Sequence, residues 1–514
     1  MLWENKLPTK KYNILIVFLF LLLFVPRIFF LENDLPAFGI GLYQPKDEGR
    51  YSMMAIDYYK YHNLYSADGY DIYTPPTFRA NVLQNVLQML SFSIWGNTYW
   101  GLRFPSCLLA FSVVVLLIRI IFCICKRERL LRKYYEKIVL CTLIFLGCNF
   151  PFLLAGKVAE GSIGRMFSVA FALWICCEYK FKDEERYFLL GLVSVLSIFF
   201  VYLSNVSLVL ANIGLLFYIL ITHKEDLWLF IKNVFLGSLV GGLLSEVYYI
   251  KVWETGAIRN FFMSINSFSD RLLTNDNAKR SGGSSAFFIS NMFFFDYVLL
   301  VLFLLGMFFL LLYLRKHINI PMAYTVLIIL AFIFQTLFTS DYNERKSILV
   351  LPAVLIIICF GSVILLKWRE ENSSLKPVKW CYLCSIMIAL IIEVIGFLMR
   401  KNWNYIEDFE PVDFNVILCS IAIQAAVLLT GAFASLYNRN GYIKLFLLLP
   451  IVISLMTNIF FDMKYMYRYN VFSEKNAMIA IGDEIGSNYV IAPYAIDFCL
   501  YNDIKPISNT FSQY

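Results

Sequence analysis

Charge and histidine are both scarce in this chain. Only 16% of its 514 residues are Asp, Glu, Lys or Arg, and three are His. A soluble domain carries about 25% charge, so an ordinary water-facing surface is excluded for most of the length. The three His, His62, His223 and His317, belong to different loops. A divalent metal is therefore conceivable but unsupported, since no loop brings His together with further ligands. The Cys pattern lacks the form of a disulfide scaffold. Eleven of the twelve Cys lie in or at the ends of apolar runs, and only Cys499 sits in a polar region. Cys381 and Cys384 have metal or redox spacing, but they open an apolar helix with no His beside them, and buried Cys behaves as a small hydrophobe.

What remains is apolar. Hydrophobic residues make up 60% of the chain, with 48 Phe and 33 Tyr, gathered into runs of roughly 18–25 residues, enough to span a hydrocarbon core as helix. Thirteen such stretches can be placed, at 13–31, 101–125, 137–155, 163–181, 187–204, 205–222, 228–252, 297–315, 321–339, 347–367, 380–399, 413–437 and 442–461. The first follows Lys6, Lys10 and Lys11 and shows no small-residue cleavage site, so it reads as an uncleaved span. With the N-terminus cytoplasmic, the inside loops hold Lys126 to Lys137, Lys180 to Arg186, Lys224, Arg315 with Lys316, Lys367 to Lys379, and Arg439 with Lys444. Basic inside loops are the rule for membrane proteins. The net charge of +7 is thus a topological signature rather than a nucleic-acid footprint.

The pattern predicts an all-α polytopic membrane protein, residues 1–461, followed by a small α/β extracytoplasmic segment, 462–514, that packs on the outer loops. Two outer loops are long, 32–100 and 254–296. In the first, Arg50 to Tyr61 reads as an amphipathic helix with Tyr51, Met54, Ala55 and Tyr58 on one face. Phe78 to Trp95 reads as a helix lying in the membrane interface. The tail offers a helix at 475–485, a strand at 489–492 and one more helical turn.

Chemistry concentrates just beyond the first span, in Asp47-Glu48-Gly49-Arg50-Tyr51. Acids at a helix start favour the macrodipole. Adjacent acids at a membrane surface among aromatics are also what a general base needs. A second anomaly is Arg345-Lys346, basic on the wrong side of the membrane in a short outer loop. The pair either snorkels at the interface or holds an anionic headgroup by charge-assisted hydrogen bonds. Glu246 and Glu393 lie inside spans, where a carboxylate marks a cavity or bonds a neighbouring helix.

The ordered series Arg27, Asp47-Glu48-Gly49-Arg50-Tyr51, Pro75-Pro76, Phe92, Trp95-Gly96, Leu102-Arg103-Phe104-Pro105-Ser106 resembles the first extracytoplasmic loop of the GT-C glycosyltransferases, over about eighty residues. The branch it is most similar to holds the protein O-mannosyltransferases and the lipid A aminoarabinose transferase. Lys157 and Glu160 match a basic-then-acidic step of that family, and Arg345 and Lys346 match the basic segment before Pro352. Thr74 stands where related enzymes carry Lys before the Pro-Pro turn, and Arg79 is expected to take over that charge.

The resemblance implies a GT-C fold and an inverting transfer of sugar from a polyprenyl-monophosphate donor to a hydroxyl acceptor on a glycan, lipid or protein. It assigns Asp47 as base, Glu48 and Glu160 to orient substrate or base, and Arg345, Lys346, Lys157 and Arg79 to the phosphate, while the richness in Phe, Ile, Lys, Asn and Tyr suggests an AT-rich genome and a bacterial plasma membrane. Arg27, Arg50, Tyr51, Pro75, Pro76 and Arg103 would build the loop. A lipid-linked glycan flippase would show interrupted helices in corresponding halves. An O-antigen polymerase or ligase would lack the acidic loop after the first span, and a non-catalytic membrane scaffold is the third alternative.

Overall fold

The computed structural model describes residues 10–34, 48, 52–62, 82–127, 132, 134–159, 161–201, 206–253, 296–315, 317, 319–337, 348–371, 376–400, 411–436, 443–466, 472–492 and 498–508. The described residues are helical almost throughout, because a backbone that leaves water must close its own hydrogen bonds. Helices α1 (Lys10–Phe24) and α2 (Pro26–Phe29) form the first span, and α3 (Met53–Tyr61) and α4 (Val82–Trp95) lie in the first long loop. Next come α5 (Tyr99–Arg127), α6 (Tyr135–Cys148), α7 (Phe150–Lys157), α8 (Ser162–Cys177), α9 (Asp183–Leu196), α10 (Ser207–Thr222) and α11 (Leu227–Trp253). The remaining apolar helices are α12 (Tyr297–Leu314), α13 (Ile320–Leu337), α14 (Leu351–Glu371), α15 (Lys376–Arg400), α16 (Pro411–Leu436) and α17 (Ile443–Phe461). The tail supplies α18 (Ser473–Ile485) and strands β1 (Tyr489–Ala492) and β2 (Lys505–Ser508).

All thirteen expected stretches contain helix. Among the described residues, eight are long and apolar enough to cross a membrane unaided, or nine if the bent pair α6–α7 counts as one. Helices α8, α9, α10 and the apolar part of α13, Ile320–Phe334, are shorter. The span expected at 137–155 is not straight. It breaks at Asn149, where α6 and α7 meet at 66°, with Pro151 in the first turn of α7.

Helix α8 is buried on nearly every side and forms the centre of the bundle. Helix α11 instead exposes Trp228, Phe235, Leu243 and Val247, a face suited to lipid rather than water. Helices α9 and α11 touch backbone to backbone, since a Cβ on Gly237 would collide with the carbonyl of Phe188.

Helix α4 is built inside out. Its polar Gln84, Asn85, Gln88 and Ser91 are buried against α3 and α5, while Val86, Leu90, Ile94 and Trp95 are exposed. That distribution fits a helix lying on hydrocarbon with its hydrogen-bonding side toward protein. The expected face of α3 is corrected. Met54, Ala55, Ile56 and Asp57 are buried, whereas Tyr58 points outward, because the face packed on α4 and the face toward the membrane both accept apolar groups. The tail gains a feature not legible in its pattern. Strand β2 pairs in parallel with β1, Tyr489 opposite Lys505.

Candidate active site

The site end of the bundle is where α2 finishes and α5 begins. Gly96 turns the chain with φ +67°, and a Cβ on Gly101 would run into the Phe92 ring and the Gly96 carbonyl. Only glycine lets α5 start against α4 at this distance. Arg103 follows one turn later and is fully buried. Its Nη2 donates to Glu48 Oε2 at 2.7 Å and its Nε to Glu48 Oε1 at 3.0 Å. Its Nη1 donates to the carbonyls of Leu31 and Asn33 at 2.8 and 2.9 Å, and the guanidinium lies 3.8 Å from the Tyr99 ring centre. Glu48 Oε1 also accepts from the Ala159 amide at 2.9 Å. One buried ion pair therefore joins the end of the first span, the acidic loop and the turn after α7. A fork of fixed donors suits this task in a way that Lys could not match.

Lys157 ends α7 and is buried, within electrostatic reach of Arg103, Glu48 and Asp34. Gly161, with φ +84°, turns the chain into α8 three residues after Val158. Arg27 supports the same region from α2. Its Nη2 donates to the Leu146 and Gly147 carbonyls at 2.8 and 3.2 Å, two of the last four of α6. Its guanidinium lies 4.7 and 5.1 Å from the Phe24 and Phe152 ring centres.

A polar seam extends the site under α3 and α4. Gln88 Nε2 donates to Ser52 Oγ at 2.8 Å and to the Leu102 carbonyl at 3.0 Å. Asn85 Oδ1 accepts the Ala55 amide at 3.1 Å.

The tail, too small for a core of its own, is stitched to this end. Asp34 caps α18 by accepting the Ser473 and Glu474 amides at 2.8 and 3.2 Å. Glu32 pairs with Lys475 at 2.8 Å and accepts from the Tyr501 hydroxyl at 2.9 Å. The Tyr99 hydroxyl donates to Glu474 Oε2 at 2.9 Å, and the same oxygen stands 4.0 Å from Arg103. Burial raises the Glu474 carboxyl above its ordinary value, with Arg103 and the Tyr99 hydroxyl pulling the other way.

Of the sequence-derived site residues, the structure brings together Arg27, Glu48, Arg103 and Lys157. Asp47, Arg50, Tyr51, Pro75, Pro76, Arg79, Glu160, Arg345 and Lys346 lie outside the described residues. Among the described residues no group of three or more His, Cys, Asp and Glu is placed to hold a metal ion. The twelve Cys form no disulfide. Sequence reasoning missed Asp34, Glu474 and Asp296. Only Asp34 had a local signal, as an acid able to cap a helix, but its helix begins 439 residues later.

No protein-family model matches the chain, and no curated protein matches it. Solved structures do match in fold. The crystal structure of ArnT from Cupriavidus metallidurans bound to undecaprenyl phosphate superposes with a TM-score of 0.53 at 13% identity, covering 97% of this chain and 86% of that one. The apo state of the same protein gives 0.50 and 14%, covering 96% and 85%. At such identity the likeness establishes fold, and it runs over nearly the whole length. The chain has the all-α polytopic membrane fold of ArnT.

Proposed function

We propose that this chain is an inverting glycosyltransferase of the GT-C type, moving a sugar from a polyprenyl-monophosphate donor to a hydroxyl acceptor. The reaction takes place at the outer face of a bacterial plasma membrane, with the N-terminus cytoplasmic and the tail outside. Residues 1–461 form the membrane-embedded catalytic part and 462–514 its extracytoplasmic cover. The observation that supports this best is the Glu48–Arg103–Ala159 latch. Glu48 adjoins Asp47 in the chain and Ala159 adjoins Glu160, so the latch ties together the two segments that carry the acids, beside Lys157. That a protein of the same fold was crystallised with undecaprenyl phosphate supports the lipid class of the donor.

In this reading Asp47 accepts the proton of the acceptor hydroxyl as its oxygen attacks the anomeric carbon, and the bond to phosphate breaks on the opposite face. Arg345 and Lys346, with Lys157 and Arg79, hold the phosphate as negative charge grows on it. Such preorganised donors are each worth about 10²–10³-fold in rate. Glu48 and Glu160 orient the base and substrate. The flippase alternative expects two interrupted helices in corresponding halves, whereas among the described residues one span is bent beyond 40°.

The test is mass spectrometry of envelope glycans, lipid A and exported proteins from cells with and without the intact gene. A sugar-bearing species should vanish with the gene and stay absent when Asp47→Asn is expressed. General-base catalysis is worth about 10²–10⁴-fold, and purified Asp47→Asn should lose that much while still binding undecaprenyl phosphate. Unchanged glycans, or full restoration by Asp47→Asn, would overturn the reading.

A further inference from the structure

The break between α6 and α7 leaves orphan backbone groups in apolar surroundings, and each needs a partner. Arg27 takes two of the last four carbonyls of α6, as described above. The first amides of α7 are taken by two side chains. Asn149 Oδ1 accepts the Phe152 amide at 2.9 Å, and Asn458 Oδ1, from α17, accepts the Phe150 amide at 3.0 Å. The other ends of both amides meet on one carboxylate. Asn149 Nδ2 donates to Asp296 Oδ2 at 2.9 Å and Asn458 Nδ2 to Asp296 Oδ1 at 2.7 Å, with the Ser454 hydroxyl as a third donor. All four side chains are buried.

An ionised carboxylate only accepts hydrogen bonds. Asp296 therefore forces both NH₂ groups toward itself and both amide oxygens toward α7. Any group able to donate would let either amide turn over and release its helix amide. The arrangement fixes the angle of a helix eight residues long, with Lys157 at its far end, about 12 Å from the pivot at 1.5 Å per residue. A 10° change at the break would then move Lys157 by about 2 Å, enough to lose a hydrogen bond.

We propose that Asn149, Asp296 and Asn458 are positioning residues that set where Lys157 stands, so that α12 and α17 control the affinity of the site for an anionic lipid phosphate. The inference rests on the reading of Lys157 as a phosphate ligand. None of the three residues touches substrate; they act through the orientation of α7.

The experiment titrates undecaprenyl phosphate into purified full-length protein in detergent and reads binding by native mass spectrometry, with a melting curve for each variant. Lys157→Met should weaken binding about 10–100-fold, the worth of a charge-assisted hydrogen bond. Asn149→Ala and Asp296→Asn should each weaken it about 10-fold or more. The double variant Asn149→Ala/Lys157→Met should bind no worse than Lys157→Met alone, because both changes remove the same contact. Asn149→Ser keeps a capping oxygen, and so the fold, but its single short hydroxyl cannot cap Phe152 and span the distance to Asp296 as the Asn amide does; it should bind as weakly as Asn149→Ala. The exchange N149D/D296N restores complementary donors and acceptors and should recover binding. Wild-type binding by Lys157→Met would remove the phosphate reading and this inference with it. If Lys157→Met binds weakly while Asn149→Ser and Asp296→Asn bind as wild type, or if the effects multiply in the double variant, the relay is refuted and the phosphate reading stands.

Discussion

Replacing Glu48 with Gln removes one charge and turns one acceptor into a donor at the centre of the latch. Glu48 accepts from Arg103 Nε and Nη2 and from the Ala159 amide, through both oxygens. A Gln oxygen can serve one side, but its NH₂ must then face an N–H on the other. Arg103 keeps the Leu31 and Asn33 carbonyls while losing its closest counter-charge in a fully buried setting. Stripping one partner from a buried pair costs about 3–5 kcal/mol. Glu474, 4.0 Å away, offsets part of that, which places the expected loss near ~3 kcal/mol. Against a typical total of about 5–15 kcal/mol this is large. Thermal unfolding in detergent should show a clearly lower midpoint, and hydrogen exchange of the Ala159 amide should quicken. The double variant Glu48→Gln/Arg103→Gln removes the fully buried guanidinium together with its closest counter-charge and should melt above Glu48→Gln alone. If Glu48→Gln melts with wild type and the Ala159 amide exchanges at its original rate, the latch does not hold this end of the bundle together.

Burial raises the Asp296 carboxyl from 3.8 to about 6 despite its three hydrogen bonds. The folded state then holds this proton more tightly than the unfolded chain, so its contribution to stability is full below pH ~4 and lost as pH rises through about 6. Asp296→Asn should flatten that part of the stability–pH curve, and a curve identical to wild type would count against the assignment. Asp34→Ala removes the cap of α18 and should cost about 1 kcal/mol, read as faster hydrogen exchange in α18 with α8 unchanged; equal protection in both would show the cap is idle. For the topology, Ser66→Cys and Ser284→Cys, in a background without the exposed Cys141, Cys384 and Cys419, should react with an impermeant maleimide only from outside the cell. Labelling of either from the cytoplasmic side alone would reverse the orientation.

The sequence by itself determined the membrane class, the helical stretches and a helix ending at Trp95 in the first long loop, expected from Phe78 and described from Val82, because these follow from hydropathy and periodicity over windows of a turn or a span. It also singled out Arg27, Glu48, Arg103 and Lys157, through the order of a motif. It could not show that Glu48 and Arg103 spend their charge on each other, or that Glu48 reaches Ala159, 111 residues on. Such pairings depend on which helix ends meet, and no local pattern encodes that. Asn149 lies inside the stretch 137–155 read as one span, where an Asn can cap a helix start or bond a neighbouring helix. Only the tertiary structure decided between these, by bringing Asp296 and Asn458 from distant helices to orient it. The second strand stayed hidden for a related reason. Lys505–Ser508 is short and contains Pro506, and it becomes a strand only because Tyr489–Ala492 offers it an edge.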